Sequence, residues 1–242
     1  RDVHRPGHFD QWRPELNRHV ELSVSPPVPR PWRAGLALRL RRHLVVKVLG
    51  VSAFMWVFFV GYFHTLSHPA FAVFQMPITL LDRLIPFQPQ ALVVYLSLWL
   101  YVAIAPGMML TLREGLVYAL WTAALCVAGL TCFYFWPTAV PPSSIDLSGH
   151  AGFALLHGVD AAGNACPSLH IATGMFSAIW IDRLLRHLRT PTVLRVLNGL
   201  WFAVIAYSTL AIKQHVVLDV LAGALLGIAF AALSLRRWTW SD

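Results

Sequence analysis

Two short stretches carry side chains able to do chemistry. The first, Cys166-Pro-Ser-Leu-His-Ile-Ala-Thr-Gly174, sets a proline, a hydroxyl and an imidazole at the entrance of an apolar run. The second, Lys213-Gln-His-Val-Val-Leu-Asp-Val-Leu-Ala-Gly223, puts His215 and Asp219 four residues apart, so that on a helix the carboxylate lies one turn from the ring. An imidazole is nucleophilic near neutral pH. A carboxylate on one of its nitrogens fixes the tautomer and stabilises the cation that develops when the other nitrogen reacts. Taken alone, His215 with Asp219 also fits a structural hydrogen bond, and His170 fits a structural residue, a metal ligand or half of a catalytic pair. The elements that position them decide.

Those elements are membrane helices. The 242 residues are 57% hydrophobic and 12% charged, with a mean hydropathy of +0.60, more apolar than one soluble core can hide. Crossing a bilayer takes about 20 apolar residues. Six segments qualify, at about 44–64, 90–110, 116–136, 168–187, 192–212 and 215–235. The fold class expected is all-α, a polytopic integral membrane bundle of six helices. Residues 1–35 read as a tail and an extended linker closing on SPPVPRPW, and residues 36–242 as the transmembrane catalytic domain. From Arg33, RAGLALRLRRHLVVK turns amphipathic, as an approach to the first crossing does.

The net charge of +8 is explained by its distribution. Ten of the nineteen lysines and arginines precede Val48. With that tail in the cytoplasm, Arg113, Arg183, Arg186, Arg189, Arg195, Arg236 and Arg237 fall on the same side, and only Arg83 and Lys213 remain opposite. No nucleic acid is needed to account for it. Both termini are then cytoplasmic, and the segments 65–89 and 137–166 and the turn near 213 face outward.

In this topology Pro167 suits a first helical turn and Ser168 a cap, placing His170 just inside the outer surface. The 45-residue interval to His215 is two crossings and a loop, which returns the second histidine to the same depth. His215, Asp219, Gly223 and Gly227 form one stripe, and its GxxxG allows close approach of another helix. His170, Gly174 and Ala178 form a similar stripe, so the two helices are expected to touch. Ionisable groups inside a membrane usually pair or work, and two histidines at matched depth favour function.

Other groups are weaker candidates. Asp146, His150, His157 and Asp160 sit in a loop without a cation, and the two histidines there read as solvated. His64 and His68 have metal-ligand spacing but no third ligand, so they read as interfacial. Cys126, Cys132 and Cys166 make no disulfide framework; Cys132 could pair with Cys166, but ordinary buried thiols are the simpler reading. The rivals to an enzyme are a transporter or proton relay using His170, His215 and Asp219, and a membrane metalloprotein. The first is disfavoured because the polar residues gather at one end, with apolar and small residues below them.

Pro167-Ser168-Leu169-His170 and His215-Val216-Val217-Leu218-Asp219, in this order and spacing, resemble the type 2 phosphatidic acid phosphatase superfamily, over about residues 44–235. The segment LDRLIPFQP (81–89) and Leu169 are most similar to the branch of inositol phosphorylceramide synthases and sphingomyelin-synthase-like transferases. The sequence departs from the phosphatase pattern. No Lys-x6-Arg-Pro follows the third crossing, Ser208-Thr209 stands where Ser-Arg is usual, and Leu169 replaces a glycine. The resemblance implies that His215 attacks phosphorus, Asp219 holds its ring, and His170 exchanges the proton with the leaving and accepting oxygens. Ser168, Lys213 and Arg83 are the expected substrate-binding residues. No metal and no cofactor is implied. The expected partners are a phospholipid or lipid phosphate and a lipid or alcohol acceptor. The place implied is a bacterial plasma membrane, with the site on its periplasmic or exoplasmic face.

Overall fold

The computed structural model describes residues 31–68, 70–142 and 163–241. The N-terminal tail before Pro31 and the expectations at Asp146, His150, His157 and Asp160 lie outside them. A short helix α1 (Trp32–Arg41) ends where His43 takes a left-handed conformation, and α2 (Leu44–Ser67) begins directly after it. There follow α3 (Leu80–Leu84), a 3-10 turn at Pro89–Ala91, α4 (Leu92–Gly107), α5 (Leu112–Phe135), α6 (Leu169–His187), α7 (Thr192–Ala211) and α8 (Val217–Leu235). Two-residue strands β1 (Phe74–Gln75) and β2 (Thr138–Ala139) pair in parallel, and Thr138 bridges to Asn164.

Among the described residues, five helices are long and apolar enough to cross a membrane: Leu44–Ser67, Pro89–Gly107, Leu112–Phe135, Thr192–Ala211 and Val217–Leu235. The sequence reading counted six. The remaining segment is α6, a 19-residue helix whose last turns carry Asp182, Arg183 and Arg186. Its moderate hydropathy has a packing reason. α6 touches α4, α5, α7 and α8, and eleven of its residues, from Leu169 to Leu185, are buried. A helix surrounded by protein need not present an apolar face to lipid.

Contacts between helices show which ends lie together. Leu98 and Phe202 surround Gly174, Tyr118 meets Ser177, and Trp180 donates to Ser234. One end of the bundle therefore gathers the last turns of α2, α5 and α7 with the first turns of α4, α6 and α8, and it contains His170 and His215. The opposite end carries exposed Arg33, Arg41, Arg42, Arg113, Arg183, Arg186, Arg189, Arg236 and Arg237. Arg39, expected on an amphipathic surface, is buried at 2% exposure beside Glu114, with Nη1 3.0 Å from Oε2. Glu114 also accepts from the Leu110 and Ser241 amides at 2.6 and 2.9 Å, which fastens the C-terminal segment to the start of α5. Full pairing offsets the cost of burying the two charges.

The closest packing joins α6 to α8. A Cβ on Gly223 would lie 2.4 Å from the Ser168 carbonyl oxygen, and one on Gly227 would lie 2.5 Å from that of Ala172. The expected GxxxG contact is present, but its counterpart on α6 is the Ser168–Ala172–Met175 side. The expected stripe through Gly174 faces elsewhere, toward Phe202 and Leu98. Leu169 fills the space left by Gly129 of α5, where a Cβ would lie 2.4 Å from its Cδ2.

Candidate active site

α6 starts one residue later than the sequence suggested. Pro167, joined to Cys166 by a cis peptide, precedes the cap instead of occupying the first turn. Ser168 caps the helix as expected: its hydroxyl accepts from the Ile171 amide at 3.3 Å. That hydroxyl is fully buried, and the Ser168 amide donates to the Asp219 carbonyl at 3.1 Å. This bond fixes the first turn of α6 against the first turn of α8.

His215 stands just before α8. Asp219, the third residue of that helix, reaches back toward its own N-terminus. Its Oδ2 accepts from the Val216 amide at 2.9 Å and lies 3.2 Å from His215 Nδ1. The carboxylate is fully buried and His215 is 7% exposed. A carboxylate at this distance orients the ring and can stabilise the cation that develops when its other nitrogen reacts. The His170 and His215 rings face each other edge-on, with centroids 5.6 Å apart. The two motifs are thus brought together, and the His215 nitrogen not held by Asp219 is Nε2.

Sequence reasoning missed two neighbours. Tyr95, in the first turn of α4, places its hydroxyl 2.8 Å from His170 Nε2; a tyrosine within an apolar run gives no signal of its own. Asp82 had a readable signal, the Thr-x-x-Asp capping pattern of Thr79 to Asp82. Its Oδ2 accepts from the Thr79 amide at 2.8 Å and hydroxyl at 2.6 Å, and its Oδ1 accepts from the Val217 amide at 2.8 Å. α3 is therefore docked on the first turn of α8, beside His215.

Lys213 serves the same dock. Left-handed at φ 61°, it donates its ammonium to the carbonyls of Asp82, at 3.0 Å, and Ile85, where the C-terminal carbonyls of α3 attract a cation. Arg83 is exposed on α3. Neither cation, nor Ser168, lines the cavity that opens at the histidines. That cavity, about 1030 Å³, is bounded by Tyr95, His170, Gln214, His215 and Asn164 at one end. It runs past Phe54, Phe58 and Trp99 to Lys47 and His43 at the other.

The His64 and His68 rings lie 4.7 Å apart, tilted by 32°, and among the described residues no group of three metal-ligating side chains forms around them. The three cysteines are free. Burial, with the nearby Asp219 charge and Cys132 adding to it, pushes the Cys166 thiol up to about 11.

A family model described as the PAP2 superfamily matches residues 115–241, just over half of the chain. The matched region contains His170, His215 and Asp219. No curated protein and no solved structure matches the chain.

Proposed function

Because this chain belongs to the PAP2 superfamily, whose members are typically phosphatases or phosphotransferases, we propose that it moves a phosphoryl-bearing headgroup from a phosphodiester lipid to a lipid or alcohol acceptor. With its apolar helices, membership makes it an integral membrane protein. The observation that carries the proposal is the pairing of His215 Nδ1 with Asp219, with the His170 ring alongside, at the mouth of an apolar cavity.

In the first half-reaction His215 Nε2 attacks phosphorus. A P–N bond forms, the P–O bond to the leaving alcohol breaks, and His170 gives that oxygen its proton. Asp219 balances the charge on the phosphorylated ring. In the second half, His170 takes the proton of the acceptor hydroxyl, whose oxygen attacks phosphorus as the P–N bond breaks. An acceptor lipid gives transfer; water gives hydrolysis. The residues need no metal or cofactor for these steps.

The charge around the site favours a diester over a monoester. A terminal monoester carries close to two negative charges at neutral pH, and a diester carries one. At the histidine end no lysine or arginine among the described residues lines the cavity. Lys213 is engaged by backbone carbonyls. The Val216 and Val217 amides at the start of α8, natural anion ligands, already serve Asp219 and Asp82. Leu169 and the Asp82-containing segment fit the transferase-like branch on the same side of this choice. Arg83, exposed on α3, remains a proposed contact for the headgroup, and Ser168, buried in the cap of α6, is proposed to act by holding the turn that carries His170.

We place α6 as the sixth crossing, with the arginine-rich end in the cytoplasm and the histidines at the periplasmic or exoplasmic face of a bacterial plasma membrane. The test offers purified protein phosphatidic acid and labelled phosphodiester lipids under matched detergent conditions, with an acceptor lipid supplied. Acceptor-dependent labelled product from a diester is expected. Rapid phosphate release from phosphatidic acid or a polyprenyl phosphate, with no such product from any diester, would leave a lipid phosphatase.

A further inference from the structure

His215 has a carboxylate partner; His170 has a phenol. Tyr95 is buried at 4% exposure, packed with Ala91, Leu92, Ala211 and Ile212. Its hydroxyl is 2.8 Å from His170 Nε2, its ring lies 5.0 Å from the imidazole, and it borders the cavity. It also stands on a fixed platform. The Gln88 amide donates to the Ala211 carbonyl at 2.9 Å, and Lys213 reaches back to Ile85, so the segment leading into α4 is stapled to the turn that carries His215. Tyr95 precedes the matched residues 115–241.

We propose that Tyr95 is the positioning residue of His170: its hydroxyl oxygen accepts the Nε2 proton of the ring and keeps Nδ1 as the nitrogen that gives and takes the mobile proton. The inference rests on the acid–base role of His170 proposed above.

The difference between the two partners matches the difference between the two tasks. His215 must hold a positive charge while phosphorus is bound to it, and a buried carboxylate favours that charge. His170 must cycle between imidazolium and imidazole within one turnover. A neutral phenol oxygen orients the ring in both states without trapping the charged one. With Nε2–H held throughout, Nδ1 loses its proton to the leaving oxygen and regains it from the acceptor, so the proton count closes over the cycle. The nitrogens held are opposite, Nδ1 of His215 by Asp219 and Nε2 of His170 by Tyr95.

Tyr95→Phe removes one oxygen and keeps the packing. Hydrogen bonds to groups that become charged are strong enough that losing one corresponds to about a tenfold to hundredfold fall in kcat, with KM little changed. A tyrosine acting through His170 has nothing further to lose in its absence, so His170→Ala and the double variant His170→Ala/Tyr95→Phe should turn over at the same residual rate. A similar fold-loss in both backgrounds, or no loss in the single variant, would overturn the proposal.

A second arm needs no turnover. In histidine-labelled protein, nitrogen NMR should show the neutral His170 ring protonated at Nε2, and Tyr95→Phe should shift that resonance or mix the tautomers. A wild-type ring protonated at Nδ1, or a spectrum unchanged by the substitution, would overturn it. If the wild type only hydrolyses phosphatidic acid, the transferase reading fails while the Tyr95 comparison runs on the hydrolysis. If it moves no phosphoryl group from any lipid ester, the function fails and the NMR arm still decides the contact.

Discussion

Gly223→Ala probes the contact that sets the distance between the two histidines. The added Cβ would lie 2.4 Å from the Ser168 carbonyl oxygen and 3.2 Å from Ile171 Cβ, against an ordinary contact of 3.4 Å or more. The obstacle at 2.4 Å is backbone, so rotating a side chain cannot relieve it, and α6 must move from α8 by about 1 Å. Overpacking of this kind costs about 1–3 kcal/mol, offset by about 1 kcal/mol from the better helix propensity of alanine. The net loss of stability is therefore small, up to about 2 kcal/mol. Turnover is more sensitive. His170 sits on one of the helices being separated and His215 directly before the other, and a misplacement of about 1 Å costs on the order of 10²-fold. Gly199→Ala in α7, where a Cβ meets nothing within 4 Å, is the matched control; it should keep its turnover, with a Tm equal to or above that of the wild type because only the helix-propensity gain remains. The assay is kcat on the authentic substrate beside thermal unfolding in the same detergent. A Gly223→Ala protein with wild-type kcat and Tm, or a Gly199→Ala protein that loses as much, would refute the reasoning.

Glu114→Ala should lower the Tm by an amount corresponding to about 3–5 kcal/mol, because it leaves Arg39 buried without its counter-ion; it should also free the C-terminal segment to protease, and an unchanged cleavage pattern would count against the Ser241 tie. Asp82→Ala should reduce kcat more than Thr79→Ala, since only the former releases the Val217 amide beside His215; equal losses would show that the cap alone matters. The Cys166 thiol, raised to about 11, should react with maleimide at pH 8 about two hundredfold more slowly than an ordinary cysteine with a pKa near 8.5, and its rate should climb as pH approaches 11; labelling at the ordinary rate would contradict the burial. In intact cells, a cysteine at Gln90 should react with an impermeant maleimide while one at Arg237 should not, all native cysteines being replaced; the reverse would invert the topology.

The sequence carried the bundle's outline because apolar length and arginine distribution are one-dimensional properties. It carried the meeting of His170 and His215 because two helices and a turn return the chain to one depth. It misassigned the α6 face toward α8, since Gly174 and Ala172 both look like small contact residues until the rotation of the helix is known. The engagement of Lys213 was hidden for a related reason: a cation in a turn is indistinguishable from a ligand for anions until the carbonyls of Asp82 and Ile85 are seen around it. Tyr95 and Asp82 are separated from their partners by 75 and 135 residues, and nothing in a single sequence records such pairings.

The central claim is that His215 carries the phosphoryl group between donor and acceptor. It is tested most directly by quenching the protein during turnover of a phosphorus-labelled lipid donor, with acceptor withheld, and mapping the labelled peptide. The label should be stable to base and labile to acid, as a phosphorus–nitrogen bond is, should map to His215, should be absent from His215→Ala, and should be discharged when acceptor is added. Label on another residue, or label that persists in a folded His215→Ala protein, would contradict it.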